Sequence, residues 1–138
     1  MPKIRDIITA VLVFVLVLAG LAGTVAANAS TTHYTSTTHY NCAQLGRLWL
    51  HVGGARSSER IAEGVAIAES SGYQYATDHD SNGSVDRGLW QINSVHGHWS
   101  SYNANTNARG AKAISDDGHN WRPWVTYRSG AYRLHCGA

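Results

Sequence analysis

The sequence is short of several residue types, and each shortage narrows the classes of protein to which it can belong. It contains two cysteines, one phenylalanine, one methionine and two prolines in 138 residues, a length that allows one small domain. A formal net charge of +2 is too small to indicate a nucleic-acid partner. Five tryptophans and seven tyrosines are many for this length, and their rings stack on sugars but also fill protein cores.

The first 29 residues have the pattern of a secretory signal peptide. Lys3 and Arg5 give a basic start, residues 7–21 form an apolar run, and residues 27–29 are a small-x-small cleavage site. We therefore expect a secreted protein that is cleaved after Ala29 and meets the membrane only transiently. The apolar run with its Gly/Ala tail is nearly long enough to span a bilayer, so a retained signal anchor is the alternative.

Residues 30–40 form a polar tract in which the sequence Ser-Thr-Thr-His-Tyr occurs twice, at residues 30–34 and 36–40. Such a composition is typical of a flexible spacer. The two His-Tyr pairs could also bind a metal or the cell wall, which is the less favoured interpretation. The tract separates the signal segment from a domain predicted over residues 41–138.

Cys42 opens this domain and Cys136 closes it. In a secreted chain, an even pair of cysteines at the two ends of a domain is typical of a disulfide. Neither cysteine has a neighbour that would activate a thiolate as a nucleophile. We therefore expect a structural bond between Cys42 and Cys136.

A helix is predicted before Gly72, which is a candidate C-terminal stop, and after Ser57 and Ser58, which are candidate N-caps. At about 100° per residue, Glu69 lies on a face of small apolar residues. These residues are Ala62, Val65 and Ala66. A carboxyl group aimed at such an interior is desolvated, so its pKa is raised and it can keep a proton to donate.

A β-hairpin is predicted around Asn82-Gly83, because both residues tolerate positive φ. It would pair a strand over residues 75–81 with a strand over residues 84–92, and Asp86 would lie on the returning strand. Polar neighbours surround that position: Asp78, Asp80 and Asn82. We expect Asp86 to stay ionised there. Two carboxylates with different surroundings are what glycoside cleavage requires.

Two stretches of the sequence carry residues that could bind a metal. Residues 78–83 fit the first half of a calcium-binding EF-hand loop, but its twelfth position is Leu89 in place of the required Glu. His96 and His98 could hold a metal, yet no acidic or cysteine partner has suitable spacing. We therefore predict no metal and no cofactor, and place the histidines in a solvated loop on the rim of the cleft.

Three further helices complete the pattern. Asn41 is predicted to cap the first, whose apolar residues are Leu45, Leu48, Trp49 and Val52. A second spans residues 105–116. Pro123 suits the first position of a third, which Gly130 would stop.

Several motifs in this chain resemble those of the chicken-type lysozymes. They are Glu69-Ser70, Gly83-Ser84-x-Asp86, Gly88-x-x-Gln91-Ile92-Asn93-Ser94, Ala111 to Gly118, and Trp124-Val125-x-Tyr127-Arg128. The spacing between the two carboxylates also matches, and the resemblance covers most of the chain after Asn41. It implies a small α+β domain, mainly helical, with one β-hairpin flanking a substrate cleft, and a disulfide that ties the termini together.

The resemblance also implies roles for individual residues. Glu69 matches the general acid, Asp86 the nucleophile or stabiliser, and Trp124 the tryptophan packed against the acid. Residues that match the lining of the sugar cleft are Gln91, Asn93 and Asp117. Asp80 takes a place that the family often fills with Asn, so an added charge there could raise the pKa of Asp86.

The chain departs from that family in further respects. It has two cysteines where four disulfides are usual, and the segment between Asn93 and Ile114 is much shorter. That segment normally carries the tryptophans that grip the sugar, so Trp99 and Tyr102 are only guesses for this task. Lytic transglycosylases and goose-type lysozymes share the Glu-Ser and Gly-Leu-x-Gln elements and are the nearest competitors.

The expected function is hydrolysis of the β-1,4 bond between N-acetylmuramic acid and N-acetylglucosamine in peptidoglycan. The expected partner is a glycan strand bound by a monomer. A lytic transglycosylase that gives 1,6-anhydro products is the first alternative. A non-catalytic sugar-binding relative on the same fold is the second.

Overall fold

The computed structural model describes residues 38–138. Four α-helices and a small antiparallel sheet form the predicted α+β architecture, which is thereby confirmed. The helices are α1 (Cys42–His51), α2 (Glu59–Ser70), α3 (Ala104–Ile114) and α4 (Val125–Arg128), and the strands are β1 (Thr77–His79), β2 (Val85–Arg87) and β3 (Ile92–Asn93). Turns of 3-10 helix lie at Arg56–Ser58, Ser94–Trp99 and Ala131–Leu134.

Helix α1 begins as its sequence predicts. The Asn41 side chain accepts a 3.0 Å hydrogen bond from the backbone N–H of Gln44, and the Gln44 side chain accepts a 2.9 Å bond from the Asn41 N–H. This capping box satisfies two backbone donors that a helix start leaves without partners. The helix buries Leu45, Leu48 and Trp49 completely.

Helix α2 carries the predicted apolar face and ends at the predicted stop. Ala62, Val65 and Ala66 are fully buried. The chain leaves the helix through Ser71 and Gly72, both with positive φ. A Cβ atom at residue 72 would lie 2.1 Å from the carbonyl oxygen of Tyr40, so only glycine fits this exit.

The sheet has three strands in the order β1-β2-β3, where the sequence predicted one hairpin. Gly83 makes the expected turn with φ of 85°, but both strands are shorter than expected. A second turn, after β2, makes the difference: Gly88 has φ of 81°, and a Cβ there would lie 2.5 Å from the Ser101 carbonyl oxygen. Ile92 therefore belongs to β3 and does not extend β2.

The last two helices start at other residues than the sequence suggested. Asn103 caps α3, where its side chain accepts a 3.0 Å bond from the N–H of Thr106. Trp124 occupies the N-cap position of α4, so Pro123 lies just before the helix and not within it. Gly130 ends this region with φ of 81°, as expected.

Tryptophan rings fill much of the core. Trp49 packs against Trp121 with ring centroids 5.3 Å apart, and Trp121 packs against Trp124 at 5.1 Å. Trp90 is fully buried and donates from its indole nitrogen to the carbonyl oxygen of Ala62. Four of the five tryptophans are thus core residues, and their abundance serves packing.

The two ends of the described chain are fixed to the domain. A disulfide joins Cys42 to Cys136, which confirms that prediction. A loop of this length stabilises the fold by about 4–5 kcal/mol in the chain-entropy view. Among residues 38–138, none of the helices is long and apolar enough to cross a bilayer.

The C-terminal end of the polar tract, residues 38–40, also contacts the domain. His39 pairs with Tyr73 in an isolated β-bridge, and their rings meet edge to face at 4.7 Å. Tyr40 is buried in the core. Residues 38–40 therefore pack against the domain, although the sequence assigned them to the spacer. The rest of the tract and the predicted signal peptide lie outside the described residues.

Candidate active site

A cleft of about 240 Å³ lies where the sheet faces the ends of three helices. Its walls come from the last turn of α2, from β2 and β3, from the end of α3 and from the start of α4. The lining residues are Glu69, Asp80, Asp86, Gln91, Ile92, Asn93, His96, Ile114, Pro123, Trp124 and Val125. Six of the eight cleft residues that the sequence nominated are therefore brought together.

Glu69 projects into this cleft from the last turn of α2. Burial is the largest influence on its carboxyl group and raises the pKa. Hydrogen bonds from the side chain and backbone N–H of Thr126 oppose this effect, and the negative charge of Asp86 adds to it. The net direction is upward, so Glu69 can hold a proton to higher pH than an exposed glutamate.

Asp86 lies on the central strand, directly opposite Asp78 on β1 and Asn93 on β3. Burial again raises the pKa, with smaller contributions in the same direction from the charges of Asp80 and Asp78. A hydrogen bond from Asn93 and the charge of His96 act in the opposite direction. The sequence raised an upward shift of the Asp86 pKa only through the charge of Asp80. In the structure that charge contributes, and burial is the larger cause.

Asp86 Oδ1 is buried and makes no hydrogen bond to any atom of residues 38–138. A buried carboxylate oxygen without a donor disfavours the charged form. This geometry accounts for the upward direction of its pKa.

A polar network holds the tip of the hairpin beside Asp86. Asn93 Nδ2 donates to Asp80 Oδ2 at 2.9 Å and to the Ser84 hydroxyl at 2.8 Å. Ser84 in turn donates to Asp80 Oδ2 at 2.7 Å. Asp80 thereby stays beside Asp86 as a second carboxylate, which is the arrangement that the sequence raised as a concern.

Gln91 lines the cleft but its amide nitrogen is already engaged. Nε2 donates to the carbonyl oxygen of Gly88 at 2.8 Å and to that of Ala76 at 3.0 Å. These bonds close the turn between β2 and β3, where Gln91 itself has a φ of 43°. The side chain therefore supports the backbone of the cleft.

Trp124 forms an apolar wall of the cleft, next to Pro123 and Val125. The residue is 6% exposed. Apolar groups beside a carboxyl disfavour the ionised form. The ring therefore suits the role that the sequence resemblance implies for it, the desolvation of Glu69.

Two nominated residues do not line the cleft. Trp99 lies against α3, where a Cβ added at Gly110 would be 2.6 Å from the Cβ of Trp99. Asp117 is mostly exposed and forms a 2.6 Å ion pair with Lys112. The position of Trp99 is explained by packing against α3, and that of Asp117 by its ion pair with Lys112. The geometry therefore gives no support to a sugar-binding role for either residue.

The structure adds cleft residues that the sequence reasoning did not nominate as ligands. Ile114 and Val125 contribute apolar surface, and His96 is the histidine of the 3-10 turn that reaches the cleft. Thr126 donates a hydrogen bond to Glu69 at 2.5 Å. It is adjacent to the Trp124-Val125 motif, but nothing in the local pattern distinguishes a threonine that touches a glutamate 57 positions earlier.

The described residues include no group of three or more His, Cys, Asp or Glu side chains that could hold a metal ion. Asp78, Asp80 and Asn82 instead make local turn contacts; for example, Asn82 Oδ1 accepts from the Ser84 N–H at 2.9 Å.

A small sheet facing helix ends across a cleft with two carboxyl groups is the architecture of a lysozyme-like domain. A family model described as a lysozyme-like domain matches residues 46–126, more than half of the chain. The chain belongs to that family. Membership indicates an enzyme that acts on peptidoglycan, as a glycosidase or a transglycosylase. Among curated proteins, no sequence matches this one.

Proposed function

We propose that this protein is a muramidase that hydrolyses the β-1,4 bond between N-acetylmuramic acid and N-acetylglucosamine in peptidoglycan. The observation that supports the proposal most is that Glu69 and Asp86 line the same cleft, with the pKa of Glu69 raised by burial. Retaining glycosidases need this pair of groups: one acid that carries a proton and a second carboxyl that meets the cationic sugar.

Glu69 is the acid in this mechanism. It protonates the oxygen of the leaving sugar as the glycosidic bond breaks, and the apolar wall beside it keeps the proton available until then. After the leaving sugar departs, the Glu69 carboxylate takes a proton from water, which attacks the anomeric carbon.

Asp86 is ionised when it contacts the anomeric carbon. It either bonds to that carbon or stabilises the oxocarbenium ion, and in both cases the water arrives on the face that the leaving sugar occupied. The configuration is then retained. This role requires Asp86 to be ionised while Glu69 is protonated, so the working pH lies between the two pKa values.

The setting of Asp86 favours one second candidate, a lytic transglycosylase. Burial and two neighbouring carboxylates raise the pKa of Asp86, and this enzyme class needs no second carboxylate. Its single glutamate acts as acid and then as base, while the 6-hydroxyl of the muramic acid closes on the anomeric carbon. Asp86 would then serve the hairpin structure only.

The involvement of Glu69 is tested with Glu69→Gln on purified peptidoglycan. Glutamine keeps the shape but cannot donate a proton, so the release of fragments should fall by about 100- to 10,000-fold. The matched control is Glu59→Gln, on the first turn of the same helix, where Glu59 pairs with Arg56 at 3.6 Å outside the cleft. Near-normal release by folded Glu69→Gln would overturn the assignment of Glu69 as the acid. No release by the folded, unchanged protein would instead favour a sugar-binding module.

We also infer that the protein acts outside the cytoplasm, as a monomer on glycan strands. The disulfide fits an extracellular or periplasmic location. The proposed route is the signal peptide of the first 29 residues, with release after Ala29.

A further inference from the structure

Thr126 touches the carboxyl group that carries the proposed chemistry. Its hydroxyl donates a hydrogen bond of 2.5 Å to Glu69 Oε1. Its backbone N–H also acts on the same carboxyl group and lowers the pKa of Glu69. Thr126 lies in the first turn of α4, directly after Trp124 and Val125 of the cleft wall.

We propose that Thr126 is a positioning residue, whose hydroxyl fixes the orientation of the Glu69 carboxyl group and directs its acidic proton to Oε2. The inference rests on the proposed function of Glu69 as acid and base. It goes beyond that function because it assigns the orientation and protonation of Glu69, which lies on α2, to a residue of α4.

The assignment of the proton follows from the direction of the bond. A hydroxyl that donates to Oε1 competes with a proton on that oxygen, so the protonated acid favours Oε2 for its own hydrogen. The carboxyl plane is fixed as well, because Oε1 is tied to α4 while the side chain is anchored on α2. Without the hydroxyl, the group could rotate and present the wrong oxygen to the glycosidic bond.

The same bond assists the step after proton transfer. Once Glu69 has given up its proton, the hydroxyl donates to a full carboxylate, and hydrogen bonds to charged acceptors are stronger than those to neutral ones. Thr126 therefore stabilises the ionised form, in opposition to burial and the Trp124 wall. The balance between these opposing effects keeps Glu69 able to act first as acid and then as base.

The test compares Thr126→Val with Thr126→Ser. Valine matches the shape of threonine and keeps the backbone N–H, but it lacks the hydroxyl that serine retains. In Thr126→Val we expect kcat/KM at the pH optimum to fall about 2- to 10-fold, as for the loss of one hydrogen bond. The alkaline limb of the pH profile should move to higher pH, because the ionised form has lost a donor. Thr126→Ser should restore both properties towards those of the unchanged protein.

Ser129→Ala is the matched control for loss of a hydroxyl in the same region. Its hydroxyl donates to the Thr126 carbonyl oxygen at 3.3 Å and lies outside the cleft. We expect its pH profile to be unchanged. A merely structural role for Thr126 would lower thermal stability in the valine variant without moving the alkaline limb, and that result would overturn the proposal.

A second measurement does not depend on activity. Carbon-13 NMR of labelled glutamate follows the titration of Glu69 in the free enzyme, with Glu69→Gln identifying its signal. The Glu69 midpoint should rise in Thr126→Val, or in Thr126→Ala if valine does not fold, and an unchanged midpoint would contradict the proposal. If the unchanged protein showed this titration but cleaved no peptidoglycan, the proposed function would fail while the contact to Glu69 stood.

Discussion

Trp124 donates a 2.8 Å hydrogen bond from its indole nitrogen to the backbone carbonyl of Trp90. This bond fixes the apolar wall of the cleft to the buried turn before β3. The ring also packs on Trp121, so it has little freedom to move away from the cleft. The apolar wall that lines the cleft together with Glu69 is therefore part of the packed core.

Replacement of this wall should make Glu69 a stronger acid. In Trp124→Ala, water reaches the carboxyl group, the pKa of Glu69 falls, and the alkaline limb of activity should move to lower pH. Trp49→Ala is the control, since it removes a core tryptophan that packs on Trp121 and does not line the cleft. Both variants should lose about 3–5 kcal/mol of stability, so both are assayed at a temperature where circular dichroism shows them folded. An unchanged alkaline limb in Trp124→Ala would mean that the Trp124 ring does not raise the pKa of Glu69.

Glu69→Gln should change stability in a pH-dependent manner. Burial raises the folded-state pKa of Glu69, so the carboxyl group's contribution to stability is full below its unfolded pKa and is lost as pH rises through the folded value. The variant has no such loss. Its melting temperature should match that of the unchanged protein in acid and exceed it at neutral pH. Melting curves across this range provide the check, and a variant that is less stable at neutral pH would contradict the inferred burial cost.

Asp80→Asn should extend activity to lower pH. The charge of Asp80 raises the pKa of Asp86, so its removal should let Asp86 ionise at lower pH and move the acidic limb downward. Asparagine still offers an oxygen to Ser84 and Asn93. Asp116→Asn, at an exposed position after α3, should leave the limb in place. An acidic limb that stays fixed in Asp80→Asn would show that Asp86 does not control it.

The sequence was sufficient for features that depend on local chemistry. Asn41 caps α1 within one helical turn. Gly83 turns the hairpin with a positive φ, which glycine adopts readily, whereas Asn82 does not take the positive φ that the sequence allowed it. The apolar face before Glu69 follows from helical periodicity. The placement of Asp86 was predicted because it lies only a few residues past that turn.

Features that depend on distant contacts were not predictable in the same way. The turn at Gly88 is set by Ser101, and the position of Trp99 is set by close approach to Gly110. Trp99 shows the difficulty most clearly: an aromatic residue suits a sugar site and a helix interface equally well, and only the fold decides. The hydrogen bond from Thr126 to Glu69 joins residues that no local pattern relates.

The products released from peptidoglycan test the central claim most directly. A hydrolase adds water and gives muramic acid with a free reducing end, whereas a transglycosylase gives the 1,6-anhydro form, which is one water lighter. We predict mainly reducing-end products by mass spectrometry of the released muropeptides, and a large loss of activity in Asp86→Asn. Mainly anhydro products, with Asp86→Asn still active, would contradict the muramidase assignment and make this domain a lytic transglycosylase.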